Sequence, residues 1–297
     1  MVRALDGFWL GRQGYEPVLA LQERLHMARR EGRVGDTVLF VEHEPVITFG
    51  RGGKEANLLT SEASLLAAGI AVSRTGRGGD VTLHAPGQLV CYPILDLAPD
   101  RCDVRRYVRD LAEVMRRLVA EYGLAAGTIE RFIGLWVDRE SPAYFPGETA
   151  LIDPVKIGAI GVRISRWVTL HGFALNLRPD LALFGHIVPC GIREHGVSSV
   201  HDLAGAAPTV REAAGRALAY LAEVLGASAA PLRDWPTALP PFLGAAVQPV
   251  HVPGGQPGAV AGRGSPGTVN EPPLRGRVEP APSEPPEEPS QQEAGTD

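Results

Sequence analysis

Residues 156–200 read KIGAIGVRISRWVTLHGFALNLRPDLALFGHIVPCGIREHGVSSV, two strand-like runs joined by a short polar turn and followed by a loop with one cysteine between proline and glycine. Over residues 156–164 the apolar positions keep period two but change phase around Gly158, Ala159, Ile160 and Gly161, the way a β-bulge re-aims a strand beside a site. Lys156 is thereby predicted to point away from Val155 and Ile157. Residues 167–177 alternate again, with Ser165 and Arg166 as the predicted hairpin connection. Asn176, Pro179 and Asp180 end the regularity. In Pro189-Cys190-Gly191 the proline fixes the approach and the glycine lets a backbone N–H turn toward whatever the sulfur attacks. A free thiol, with a pKa of about 8.5, is only slightly ionised at neutral pH. A catalytic cysteine therefore needs a base or a cation nearby, and a lysine on a half-buried strand supplies both. On these residues alone Cys190 is either such a nucleophile or a small buried hydrophobe, and Lys156 either its partner or an ordinary strand lysine.

Upstream, residues 8–10 read as a short strand and 15–30 as an amphipathic helix with Pro17 in its first turn and Gly32 past its end. Residues 37–42 and 46–49 are predicted strands. The Gly50-Arg51-Gly52-Gly53-Lys54 cluster lacks the spacing of a phosphate loop and reads as a plain loop. Residues 61–68 form a predicted short helix capped by Ser61 and closed by Gly69. After a strand at 70–75 comes RGGDVTLHAPGQLVCYPILDL, residues 77–97. Here 80–84 is predicted to run out and 89–94 to return across an Ala85-Pro86-Gly87-Gln88 turn, a hairpin whose mouth holds Arg77, His84 and three glycines. Asp103 caps a predicted helix to about Tyr122, with Val104, Tyr107, Val108, Leu111, Met115, Leu118 and Val119 on one face. Its other face carries Arg105, Arg106, Arg109, Arg116 and Arg117, a solvated face or a docking face for an acidic partner. Residues 135–137 read as a strand and 139–154 as a loop. Thr209 and Glu212 form a capping box for a helix over 209–225 that stops at Gly226.

The 297-residue chain divides by composition. Residues 1–236 suit one α/β domain with a sizeable core, whereas 237–297 are rich in Pro, Gly, Glu and Gln and too poor in apolar residues to offset the entropy of ordering, so a disordered acidic tail is expected. That tail holds seven acidic residues and three arginines, so four of the five net negative charges belong to it. The near-neutral remainder argues against a nucleic-acid binder. The N-terminus lacks a secretory pattern and no run is long enough to span a membrane. Cys91, Cys102 and Cys190 have neither metal-like spacing nor an even count for disulfides, so no metal and a cytoplasmic location are expected.

With these pieces in place the chain resembles the lipoyl(octanoyl) transferase family of lipoate biosynthesis. The first block of resemblance is Arg77-Gly78-Gly79-Asp80-Val81-Thr82, His84, Pro86-Gly87-Gln88 and Tyr92-Pro93. The second is Lys156-Ile157-Gly158-Ala159-Ile160-Gly161, His171-Gly172-Phe173-Ala174-Leu175-Asn176, Pro189-Cys190-Gly191 and Val197-Ser198-Ser199. The resemblance implies an α/β fold of the α+β type, a mixed, largely antiparallel sheet flanked by helices, like that of biotin and lipoate protein ligases. It implies transfer of octanoyl from the phosphopantetheine of acyl carrier protein to a lysine of apo-lipoyl domains, those of 2-oxoacid dehydrogenase complexes and the glycine cleavage H protein, with no further cofactor. Cys190 matches the acyl-thioester nucleophile and Lys156 the lysine that lowers its pKa. Substrate contacts carry over to Arg77, Gly78, Gly79, Asp80, Val81, Thr82, Leu83 and His84, to Ala159, Ile160 and Gly161, and to Gly172, Phe173 and Ala174. Three departures stand out: Leu83 and Ala85 replace an aromatic residue and a glycine beside His84, the 139–154 loop is enlarged, and the acidic tail is extra. Three rival expectations are an ATP-dependent ligase of the same fold, which needs no nucleophilic cysteine, a Cys-His hydrolase pairing Cys190 with His84, His171 or His186, and a catalytically silent lipoyl-domain-binding protein.

Overall fold

Alternating Val, Leu, Ile and Phe in short runs, separated by capped amphipathic segments, give a chain that alternates strands and helices. The computed structural model describes residues 3–191 and 195–236, Cys190 by its main chain alone; the tail expected at 237–297 lies outside the described residues. In chain order the elements are β1 (Ala4–Gln13), α1 (Tyr15–Arg30), β2 (Asp36–His43), β3 (Val46–Phe49), α2 (Glu62–Ala67), β4 (Ala71–Arg74), β5 (Val81–His84), β6 (Gln88–Ile94) and α3 (Val104–Ala120). They continue with β7 (Gly127–Ile129), β8 (Phe132–Asp138), β9 (Pro154–Ser165), β10 (Val168–Asn176), β11 (Gly196–Val197), α4 (Val200–Ala204), α5 (Val210–Leu225), β12 (Ser228–Ala229) and β13 (Arg233–Asp234). One-turn 3-10 helices at Leu181–His186 and Pro189–Gly191 lie in the loop that carries Cys190.

The large sheet has the order β12-β1-β2-β6-β10-β9-β8-β7, with β13 also on β1 and β11 on β9. Along the path from β2 to β7 successive strands are antiparallel, while β1 runs parallel to β2, β12 and β13 and β11 runs parallel to β9, so the sheet is mixed as expected. Helices α3 and α5 cover one face, burying Leu111, Met115, Leu118, Leu218 and Leu221 against Phe40, Leu89, Ile157 and Phe173. Helix α1 covers part of the other, with Val18, Leu21 and Leu25 on Leu39, Val41, Val90 and Ala174. A second sheet, β4-β3-β5, stands apart with α2 over its own small core. Among the described residues no helix is long and apolar enough to cross a membrane.

Helix boundaries follow the sequence signals closely. Ser61, Asp103 and Thr209 cap α2, α3 and α5 with their side chains, and the Thr209–Glu212 box is complete. Strands depart more from expectation. β1 extends well beyond residues 8–10 because partners on both edges carry it past Gly7 and Gly11, and β7 was hidden by its length of three residues. The hairpin expected between residues 80–84 and 89–94 is absent: β5 pairs with β3 in the small sheet, whereas β6 is hydrogen-bonded on both sides by β2 and β10 and has no edge left. Gly87 (φ 89°) makes the turn, but it sends the chain from one sheet into the other. The β9–β10 connection is Arg166-Trp167, both at positive φ, with Ser165 and Val168 paired across it, one residue later than predicted. The bulge sits at Ile157, between the pairs Trp136–Lys156 and Leu135–Gly158, at the near end of the predicted phase change.

Candidate active site

The bulge decides where the site is. Val155 and Ile157 are fully buried, Ile157 in the core under α3, and the extra residue lets Ile160 and Val162 pack toward the same core. β8 reaches β9 only as far as Gly158, which leaves the β9 edge beyond it open. There the N–H of Gly78 donates to Val162 O at 3.0 Å, bringing the Arg77-Gly78-Gly79 turn against β9. A cavity of about 350 Å³ opens between this turn, β5, β6, β9 and β10. Glycines make the approach possible: a Cβ on Gly161 would come within 3.0 Å of Gly78 O, and one on Gly172 would collide with the carbonyl of Cys91.

Lys156 lines this cavity while only 5% exposed. Its Nζ lies 5.5 Å from the centre of the Trp136 ring, and His195 meets both Trp136 and Phe132 edge to face beside it. The lysine passes over Gly134, where a Cβ would sit 2.5 Å from its Cε. Sequence reading missed Trp136, Gly134 and His195, since none stands in a recognisable motif.

The Cys190 turn is fixed at both ends. Ahead of it Val188 N–H donates to Asn57 O at 2.8 Å; behind it β11 runs parallel to β9, pairing Val197 with Lys156. Pro189 shares a small second cavity with Lys156, Thr82, Leu83, Ala174 and Asn176. Asp80 braces the turn: its carboxylate accepts the Lys54 N–H at 2.9 Å and the Asn57 amide at 2.5 Å, and Oδ2 would be 2.8 Å from a Cβ on Gly191. The predicted role of the Cys190 sulfur lies outside what is described. Of the other cysteines, Cys91 is buried in the core, which pushes its thiol well up, and Cys102 is exposed.

The remaining sequence-predicted residues divide by strand parity. Arg77, Gly78, Gly79, Asp80, Thr82 and His84 line the main cavity, as do Ala159, Ile160, Gly161, Gly172, Phe173 and Ala174. Val81 and Leu83 alternate to the other face of β5 and pack in the small core, Leu83 touching only the second cavity. Ala85 is buried in that core as well. Arg77 is buried; its guanidinium donates to Thr48 O at 2.5 Å and to Gly78 O at 3.1 Å, which ties the turn to β3. Val104 and Val108, predicted for the core face of α3, line the cavity mouth with Ile133 instead, and Val104 is 46% exposed.

Three buried histidines stand under the cavity. His43 Nδ1 donates to Gln13 O at 3.1 Å, so its Nε2 accepts from the Tyr92 hydroxyl at 2.9 Å. Gln88 spends its amide N–H on Leu83 O, so its Oε1 accepts from His84 Nδ1 at 3.2 Å. Burial pushes His43 down to about 4, and burial with His43 and Arg77 nearby pushes His84 down to about 3. His171 is likewise pushed down to about 3, by burial and then by Arg77 and Arg163. These imidazoles are neutral at physiological pH and weak bases, which disfavours the Cys-His hydrolase. His186 does not line the cavity and hydrogen-bonds Thr60 at 2.9 Å. Among the described residues no three His, Cys, Asp or Glu side chains are placed to hold a metal ion.

The family model described as lipoyl protein ligase A/B catalytic domain matches residues 14–222. An octanoyltransferase of Myxococcus xanthus is 47% identical over 203 residues, 68% of this chain and 54% of that relative. One of Chloroflexus aurantiacus is 43% identical over 224 residues, 75% of this chain and 95% of that relative. Among solved structures, lipoate-protein ligase A bound with ATP superposes with a TM-score of 0.60 at 16% identity, covering 82% of this chain and 91% of that one. A putative lipoate protein ligase of T. acidophilum with bound lipoic acid gives 0.59 at 17% identity over 82% and 92%. At that identity the likeness speaks for the fold alone; with the sequence relatives and the family match, the chain belongs to the lipoyl protein ligase A/B catalytic domain family.

Proposed function

We propose that this protein is an octanoyltransferase of lipoate biosynthesis, an acyltransferase that carries the octanoyl group on Cys190. The observation that carries the reading is the shared cavity wall. A buried lysine on the bulged strand and the proline of the cysteine turn face one space, beside a glycine-edged slot lined by Ala159, Ile160, Phe173 and Ala174. Relatives 43% and 47% identical are octanoyltransferases, which supports the same reaction here.

Lys156 takes the Cys190 proton, and the thiolate attacks the carbonyl carbon of octanoyl on the phosphopantetheine of acyl carrier protein. The C–S bond to the carrier breaks as the new one forms, and the departing thiolate recovers the proton from Lys156. An apo-lipoyl lysine amine then attacks the Cys190 thioester; the amide forms, the C–S bond breaks, and the amine proton passes through Lys156 to the cysteine sulfur. Backbone N–H groups of the Cys190 turn are the candidate donors to the oxyanion. The first exchange swaps one thioester for another and the second is downhill, so the reaction consumes no ATP and needs no cofactor beyond the carrier's arm. Burying the acyl chain contributes on the order of 5 kcal/mol at about 0.8 kcal/mol per CH2, which favours octanoyl over short acyls. The acceptors are lipoyl domains, including that of the glycine cleavage H protein, and the reaction is placed in the cytoplasm.

Intact-protein mass spectrometry after mixing the enzyme with octanoyl acyl carrier protein, without ATP, tests this. One hydroxylamine-labile octanoyl adduct on the wild type, absent from Cys190→Ser, strongly reduced in Lys156→Ala and discharged by an apo-lipoyl domain, is expected. Transfer seen only when ATP is added would instead assign a ligase.

A further inference from the structure

The cavity mouth is edged by apolar side chains left in water and flanked by cations. Val104 and Val108, one turn apart on α3, line it with Ile133 of β8; Val104 is 46% and Ile133 57% exposed. Packing of α3 does not call for them there, because Tyr107, Leu111 and Met115 already fill its buried face. Arg131 lines the same cavity from the turn between β7 and β8, its guanidinium 5.8 Å from the centre of the Phe132 ring. Arg105 and Arg109 are exposed, also one turn apart, on the stripe of α3 next to the two valines.

These three cations differ from the other arginines on and around α3. Arg116 and Arg117 both pair with Glu113, Arg117 pairs with Glu223 as well, and Arg101 pairs with Asp110. Arg105, Arg109 and Arg131 have no ion-pair partner among the described residues. Two nearby acids are engaged elsewhere: Asp103 accepts the Arg106 N–H at 3.0 Å, and Glu148 accepts the Glu130 N–H at 2.9 Å. Glu130 adjoins Arg131, so the excess of positive charge is clearest at Arg105 and Arg109. Residues 1–236 carry a net charge of −1, which is −5 less the −4 of the tail, so the excess is local to the mouth.

The charges of the two protein substrates decide which one such a mouth receives. The donor's arm is joined to its protein by a phosphodiester, so an anion arrives whenever the thioester enters. The acceptor inserts a lysine whose amine, with an ordinary pKa of about 10.4, is cationic at neutral pH. A cationic rim attracts the first and repels the second. We propose that Val104, Arg105, Val108, Arg109, Arg131 and Ile133 form the docking surface for acyl carrier protein. The arginines hold the phosphodiester and the acidic side chains around it, and the three apolar side chains are covered as the carrier seats. This inference rests on the octanoyl-transfer reading and adds the face that receives the donor.

The test compares two acyl donors, octanoyl-carrier protein and octanoyl-pantetheine, which keeps the thioester and the arm but has neither phosphate nor protein. Wild type, Arg105→Glu/Arg109→Glu and Arg105→Gln/Arg109→Gln are assayed for acylation, each with its thermal midpoint recorded. The readout is the carrier-to-pantetheine ratio of kcat/KM. It is expected to fall at least ten-fold in the glutamate pair and less in the glutamine pair, through KM for the carrier. Added NaCl is expected to lower the wild-type ratio more steeply than that of the glutamate pair. An unchanged ratio in the glutamate pair, or equal losses with both donors, would overturn the docking surface while leaving octanoyl transfer intact. Slower discharge of preformed octanoyl-enzyme by an apo-lipoyl domain, with acylation by the carrier unchanged, would assign the face to the acceptor and also overturn it. Absence of acylation of the wild type by either donor would remove the octanoyl-transfer reading itself.

Discussion

At the scale of single residues, the site is built from groups whose ordinary behaviour burial has suppressed. His43, His84 and His171 sit at about 4, 3 and 3 in the folded chain against about 6.5 when unfolded. Because their folded values are depressed, the unfolded chain binds more protons between pH 6.5 and those values. Their neutrality therefore costs nothing above pH 6.5, and stability is lost as pH falls through that window, at up to about 1.4 kcal/mol per pH unit for each histidine. The thermal midpoint is expected to drop steadily from pH 6.5 to 4.5, and His84→Gln to flatten the slope; a parallel slope in that variant would contradict the assignment. Gly134 is the second residue-scale test. With φ 150° and both Lys156 Cε and the Gly158 carbonyl oxygen in the space of a Cβ, Gly134→Ala must displace the lysine and press on β9. Single-turnover acylation by octanoyl-carrier should slow by ten-fold or more, and an unchanged rate would mean that Lys156 needs no fixed position. The sequence singles out Lys156 and Cys190 by their short, unusual contexts, and the structure places Lys156 in the cavity wall beside the Cys190 turn. Trp136 and Gly134 were not legible in the sequence, because their roles depend on a lysine that approaches them from another strand.

At the scale of elements, the turn that carries Cys190 is held by other segments. Asp80 connects it to Lys54 and Asn57, and one carboxylate accepts from both. Asp80→Asn keeps the shape but removes one acceptor, leaving a donor unmatched. A loss of about 1.5–3 kcal/mol is expected from the charge-assisted bonds, read as a lower midpoint, with the first half-reaction slowed more than the binding of carrier. Normal acylation in this variant would argue that the brace is dispensable. The sequence showed that Asp80 belonged to a special stretch but suggested a hairpin there. What it could not show is that β5 leaves for a second sheet, because that depends on β6 being paired on both edges by strands distant in sequence.

At the scale of the whole molecule, the end of the large sheet is closed by the last described strands. β12 and β13 cover the outer edge of β1, Trp235 N–H donates to Trp9 O at 2.9 Å, and the Trp235 ring meets Phe8 edge to face at 5.0 Å. A chain ending at Pro236 is expected to keep its thermal midpoint, whereas one ending at Leu225 should lose several degrees and self-associate through the bared β1 edge. Equal midpoints by calorimetry, with both chains monomeric by light scattering, would refute this. The sequence by itself determined the capped helices, the bulged strand and the paired cysteine and lysine contexts, because caps, periodicity and turn residues act over a few positions. Tertiary structure alone decided which strands share a sheet, that Val104 and Val108 face a cavity instead of the core, and that Asp80 braces the cysteine turn. Those outcomes follow from which edges, faces and buried polar groups are left over once distant segments have packed.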